Sequence, residues 1–161
     1  MGNEKVKTTY IPTNLNKFTF ISPRMKEWVE NKCKGEVLNL FAGKTVLDMN
    51  EYRVDVDRKM IAHYYGDAYE YAKNCKKRYD TVLLDPPYAY RKAMEMYNGH
   101  YSSKFKLIAD ELIRITDRVI SFGYHSTFMG RIRGYELSEL CVFGHGGAQH
   151  CTIAIIEKRR K

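Results

Sequence analysis

Apolar residues fall along this chain in two rhythms. Compact aliphatic or aromatic runs at 36–41, 51–57, 79–85, 118–122, 137–143 and 151–157 are bounded by glycine, proline, asparagine or charge. Runs of about four to eight apolar residues predict strands, those with little alternation being buried on both faces. Between them, apolar positions recur three and four apart. Met25, Trp28, Val29 and Cys33 follow Ser22-Pro23, an N-cap with proline at the first helical position, and Gly35 closes that helix. Ala68, Tyr71, Ala72 and Cys75 predict a second helix. In residues 103–116, Phe105, Ile108, Leu112 and Ile115 line one face while Lys104, Lys106, Asp110, Glu111 and Arg114 face water. Lys17 to Ile21 predicts a short extended piece, and residues 1–16, polar and without period, a loosely ordered arm before a single domain at 17–161. Strands alternating with helices predict an α/β fold with a mostly parallel sheet. The last two runs flank Gly144-His145-Gly146-Gly147-Ala148-Gln149-His150, which suits a hairpin.

One junction carries more chemistry than the rest. Val82-Leu83-Leu84 runs straight into Asp85-Pro86-Pro87-Tyr88. Prolines lack the N–H and lock φ, so the strand must stop at Asp85. That leaves a stiffened turn at the carboxyl edge of the sheet, where open α/β sheets bind ligands. The exocyclic amine of a nucleobase is a poor nucleophile, because its lone pair is delocalised into the ring. Acceptors aimed at its N–H groups favour the pyramidal, nucleophilic nitrogen and the charge that develops there. Asp85 offers a carboxylate oxygen, Pro86 a carbonyl held rigid by Pro87, and Tyr88 a ring on which an extruded base can stack. The following Tyr90, Arg91 and Lys92 mix rings with positive charge, as a loop stacking a base and holding its phosphates would. The alternative is a surface helix with Tyr97, Met94 and Met96 turned inward. Tyr124 and His125, just past the strand at 118–122, are expected at the same edge, and Arg131 and Arg133 beyond them could meet phosphates.

Composition sharpens this picture. The net charge of +8 favours a polyanionic partner, nucleic acid above all. Cys33, Cys75, Cys141 and Cys151 lack metal-ligand spacing and read as reduced thiols of a cytoplasmic protein, Cys141 and Cys151 being able to face each other across the hairpin. His145 and His150 are too isolated to suggest a metal site. No apolar run approaches the ~20 residues that span a bilayer, and the first residues lack a signal-peptide pattern. Gly43-Lys44-Thr45 is not a phosphate loop, since Leu38 stands where that motif needs its first glycine.

The strand with Asp85-Pro86-Pro87-Tyr88 resembles the class I S-adenosylmethionine-dependent amino-methyltransferases, in particular their adenine-N6 group. The resemblance implies a Rossmann-like, mostly parallel seven-stranded sheet that ends in an antiparallel hairpin. It also implies S-adenosylmethionine as cofactor, held at Asn39-Leu40-Phe41-Ala42-Gly43, where a tight turn brings the backbone to the methionine moiety. Here the chain departs from the family: an acid is usual where Asn39 stands, and Lys44-Thr45 replaces a later glycine. Asn39 would accept a hydrogen bond, and Lys44 would meet the cofactor's carboxylate. Asp55, or failing it Asp57, would hold the ribose hydroxyls. Asp67 would accept from the adenine amine, cap the helix after it, or both. Phe20 and Pro23 would help enclose the cofactor, the alternative for Phe20, as for Trp28, being a place in the core. Only residues 44–51 separate the first two strands, fewer than the ~10–12 of a parallel crossover with a full helix.

The function implied is methyl transfer to an adenine N6 amine in RNA or DNA. RNA is favoured, because DNA enzymes often carry a target-recognition domain that this sequence does not show. A duplex-acting enzyme this small would need self-association or a specificity partner to flip its base. Methylation of guanine N2 or of a protein amide, and a non-catalytic nucleic-acid-binding subunit on the same fold, are the alternatives.

Overall fold

The computed structural model describes residues 5–14, 16, 19–86, 100–147 and 149–161, with only the backbone of 100–103. The strands are β1 (Lys7–Pro12), β2 (Val37–Asn39), β3 (Glu51–Asp55), β4 (Tyr64–Tyr65), β5 (Thr81–Leu84), β6 (Arg118–Gly123), β7 (Tyr135–Gly144) and β8 (Thr152–Arg159). The helices are α1 (Pro23–Lys32), α2 (Ala68–Asn74) and α3 (His100–Ile115). One eight-stranded sheet runs in the order β1-β7-β8-β6-β5-β2-β3-β4. Only β8 is antiparallel to its neighbours, β6 and β7. The expected Rossmann-like sheet with its C-terminal hairpin is present, extended by one strand.

That extra strand corrects an expectation. Residues 7–12 are not loose: they pair in parallel with β7, from Lys7 opposite Glu139 to Pro12 opposite Gly144. Cys141 lies opposite Ala154 and not opposite Cys151, so the cysteine pair that the hairpin suggested does not face across it. Residues 40–50 contain no helix, in keeping with the short connection.

The two-residue period of a strand sorts its side chains to opposite faces. Leu83, Ile120, Phe122, Cys141, Phe143 and Ile156 point to one face, where α1 lays down Met25, Trp28 and Val29. Trp28 meets the Phe122 and Phe143 rings edge-on, at 5.8 and 5.7 Å between centroids. Val82, Leu84, Val119, Leu38 and Val54 point to the other face, under Ala72 of α2 and Ile108, Leu112 and Ile115 of α3. The result is three layers: α1, sheet, and the α2–α3 pair.

Helix ends are closed by named groups. The Ser22 hydroxyl accepts from Met25 N at the start of α1. Arg114, from the last turn of α3, donates to the Ala72 and Lys73 carbonyls and to Cys75 O, supplying partners to the C-terminal end of α2. Arg159 donates to Ile113 O and Thr116 O at the end of α3, while its Nε holds Asp117 at 2.6 Å. Gly35 has φ +58°, and a Cβ there would collide with the Asp80 carboxylate, which accepts from Glu36 N at 2.8 Å.

Leu83 is fully buried in the central strand, so Leu83→Ala is expected to lower unfolding free energy by about 2–5 kcal/mol in urea denaturation. Ile132→Ser, at a side chain 92% exposed, should stay within about 0.5 kcal/mol of the parent. Burial pushes the Cys33 thiol up to about 12 and that of Cys141 to about 11, and Cys75 is also buried, whereas Cys151 is exposed. Ellman's reagent at pH 8 should therefore titrate Cys151 fast in the native protein and the other three only after denaturation. Because folded-state values above that of the free thiol stabilise only while the thiols stay neutral, the contribution of Cys33 and Cys141 should decline as pH rises above about 9.

Candidate active site

The sheet order reverses between β2 and β5, the switch point at whose carboxyl edge open α/β sheets bind their ligands. Asn39 at the end of β2 lies opposite Leu83 of β5, and Leu40 N continues the ladder to Leu83 O at 3.2 Å. The glycine turn after β2 and the acid after β5 thus leave from adjacent strands. Asp55 ends β3 on one side, and Tyr124 and His125 follow β6 on the other.

The turn itself is held from β3. Ala42 N donates to Val54 O at 2.9 Å, and Gly43 N to Asp55 Oδ2 at 2.8 Å. Beneath it lies Arg53, 2% exposed. Its guanidinium has five N–H donors, and all are engaged: Nε with Ile61 O (2.6 Å), Nη1 with Thr45 O (2.9 Å) and Glu51 Oε1 (2.5 Å), and Nη2 with Gly43 O (2.8 Å) and Ala42 O (3.4 Å). Glu51, its carboxylate equally buried, accepts in addition from Leu47 N at 3.1 Å and from Asn39 Nδ2 at 3.1 Å. Side chains of one strand do here what a crossover helix would otherwise do. Sequence reasoning missed Arg53 and Glu51; the signal was present in opposite charges two apart in a buried strand, hence on one face.

This network also takes in Asn39. Its side chain is fully buried and donates from Nδ2 to Glu51, while its Oδ1 has no hydrogen-bond partner among the described residues. The carboxylate usual at this point comes from the next strand. Phe41 stacks on Phe105 of α3 at 6.4 Å, Ala42 is buried, and Lys44 is exposed. Gly43 has φ +66°, and among the described residues a Cβ there would meet nothing nearer than Phe41 O at 4.0 Å. Asp55 accepts through Oδ1 from Asp57 N at 2.8 Å, both its oxygens serving the backbone of the rim. Asp67 is the N-cap of α2, accepting from Tyr69 N and Glu70 N, and its other oxygen holds Lys104 Nζ at 2.7 Å.

Asp85 is half-buried, with Pro86 buried after it. Thr19, in a short 3-10 turn before α1, donates from Oγ1 to Asp85 Oδ1 at 3.0 Å. Sequence reasoning did not single out Thr19. Its neighbour Phe20, expected as a cofactor contact, is instead a core residue, 4% exposed and edge-on to Phe122 at 5.2 Å. Tyr124 is half-buried against His150 (5.8 Å), and His125 is exposed. His145 bridges Thr152 Oγ1 and Thr13 O. Arg133 is turned to Asp110 of α3 at 2.8 Å. Pro87, Tyr88, Tyr90, Arg91 and Lys92, with the Met and Tyr residues up to 97, lie outside the described residues. Among those described, no three His, Cys, Asp or Glu side chains converge as a metal set, and no helix is long and apolar enough to cross a membrane.

Comparison with solved structures places this arrangement in the class I methyltransferase fold. TrmN from Thermus thermophilus superposes with a TM-score of 0.63 at 14% identity, over 86% of this chain and 49% of its own, so the chain spans about half the length of TrmN. PH1948 of Pyrococcus horikoshii, assigned as an RNA methyltransferase, gives 0.56 at 14% identity over 84% and 82%. Magnesium protoporphyrin IX methyltransferase (ChlM) from Synechocystis PCC 6803, solved with bound SAM, gives 0.55 at 11% identity over 86% and 77%. No family model matches the chain, and no characterised protein matches it by sequence. The likeness is one of fold.

Arg53→Met removes the partner of a buried carboxylate and five hydrogen bonds, so a loss of about 3–5 kcal/mol in denaturant unfolding is expected. Adding Glu51→Gln should restore part of that loss, and a double-mutant cycle measures how much.

Proposed function

We propose that the chain is an S-adenosylmethionine-dependent methyltransferase acting on the N6 amine of adenine in nucleic acid, RNA in preference to DNA. The observation that carries this reading is the position of Asp85: it leaves β5 beside the glycine turn of β2, at the switch point of a methyltransferase-fold sheet.

The residues present fit the cofactor. Among the described residues, Gly43 in its left-handed conformation leaves room above the turn, Asp55 stands at its rim, and Lys44 beside it is exposed and positive. S-Adenosylmethionine held there would supply an electrophilic methyl group on a sulfonium, with S-adenosylhomocysteine as the leaving group and the proton of the methylated amine lost to solvent. The protein's part is to hold the amine in line and polarise it. Asp85 accepts from one N–H of the amine and the Pro86 carbonyl from the other, favouring a pyramidal nitrogen and offsetting its developing positive charge. Tyr88 stacks on the extruded base, and Tyr90, Arg91, Lys92, Tyr124 and His125 contact its neighbours. The net charge of +8 supports a polyanionic substrate, and the likeness to PH1948 supports RNA.

Tritium-labelled S-adenosylmethionine, offered with RNA, DNA and protein extracts, is expected to label RNA, with N6-methyladenosine found by nucleoside mass spectrometry. Asp85→Ala should abolish incorporation while calorimetric cofactor affinity persists. Label in protein, or N2-methylguanosine as product, would replace the substrate assignment. Absence of cofactor binding by the parent protein would favour a non-catalytic nucleic-acid-binding role.

A further inference from the structure

We infer that Thr19 is a positioning residue for Asp85, delivered by an N-terminal strap that the C-terminal hairpin holds in place. The inference rests on the reading of Asp85 as the acceptor for the substrate amine.

A carboxylate at a strand end can rotate about two side-chain bonds, and only part of that range aims a lone pair at an incoming amine. The Thr19 hydroxyl donating to Oδ1 at 3.0 Å restricts that rotation. Threonine suits the task because its branched Cβ leaves little freedom at χ1. The donor would be of little use on a loose segment, and the described residues around it are held in place. On one side Phe20 is buried against Phe122. Ser22 N returns to Thr19 O at 3.3 Å, closing the 3-10 turn.

On the other side, the Ser22 hydroxyl, 2% exposed as a residue, meets Thr13 Oγ1 at 2.5 Å. Thr13 N donates to Gly144 O at 2.9 Å, continuing the β1–β7 ladder by one step. The His145 ring lies between Thr13 O (3.3 Å) and Thr152 Oγ1 (2.8 Å), tying the strap to both arms of the hairpin. A hydrogen-bonded path therefore runs from Thr152 through His145, Thr13, Ser22 and Thr19 to Asp85. Burial of Phe20 alone would anchor the turn. The added polar path fixes its orientation, and Thr19 is where that orientation reaches the site.

The test compares the parent protein with Thr19→Val, Thr19→Ser and Asp85→Ala, using labelled S-adenosylmethionine and, as methyl acceptors, RNA and DNA extracted from cells lacking the gene. Thr19→Val keeps the side-chain shape and removes the donor. Its kcat is expected to fall about 10- to 100-fold, the scale of a misdirected reacting group. Its cofactor dissociation constant by calorimetry and its melting temperature should match the parent, and Thr19→Ser should recover most of the lost rate. Unchanged kcat in Thr19→Val beside an inactive Asp85→Ala overturns the role of Thr19 alone. A fall in melting temperature and cofactor affinity in step with kcat also overturns it, since Thr19 then only holds the fold together. An active Asp85→Ala, or a parent that labels neither nucleic acid, overturns the reading of Asp85 and the inference with it.

Discussion

A buried guanidinium is the constraint on which the site depends. Removing Arg53 and Glu51 from water is costly, and the structure offsets that cost by using every donor of the one and both oxygens of the other. The partners are not scattered. Most are the carbonyls of Ala42, Gly43 and Thr45 and the amide of Leu47, which form the turn between β2 and β3, with Asn39 Nδ2 and, after β3, Ile61 O completing the set. A loop without a helix of its own has backbone groups to satisfy. Here a single strand face satisfies them, and the turn takes its shape from that face.

The same economy runs through the molecule. Arg114 and Arg159 each close the carboxyl end of a helix from another element, and the buried Glu157 accepts from the amides of Phe128, Met129 and Gly130 after β6. Charged side chains from regular elements thus fix irregular backbone, while the two apolar layers hold sheet to helix. Part of the basic excess is spent in this way, and electrostatic arguments from net charge apply to the remainder.

What could be read from sequence follows from how each element makes its contacts. The strand at 81–84 and the helix ending at Ile115 declare themselves because their burial is local and periodic. The strand at 7–12 does not, because it lies at an edge with most of its side chains in water, so its pairing depends on a partner some 130 residues away. Asp85 and Gly43 are legible because proline and glycine restrict the backbone in known ways. Asn39, Arg53, Phe20 and Thr19 are not, since which way each points is decided by residues distant in sequence. A glutamate and an arginine two apart read as a wet surface until the loop above them is in place.

The placement of β8 has a temporal consequence. It lies between β6 and β7, yet it follows both in the chain, and β1, which precedes them all, pairs with β7. During translation, the N-terminal strand therefore emerges long before its docking surface exists. The central strands can assemble as they are made, but the outer half of the sheet must wait until residue 159 has left the ribosome. Docking of the strap beside Asp85 would accordingly be among the last events of folding, and a nascent chain would hold its glycine turn in shape before its acid is aimed.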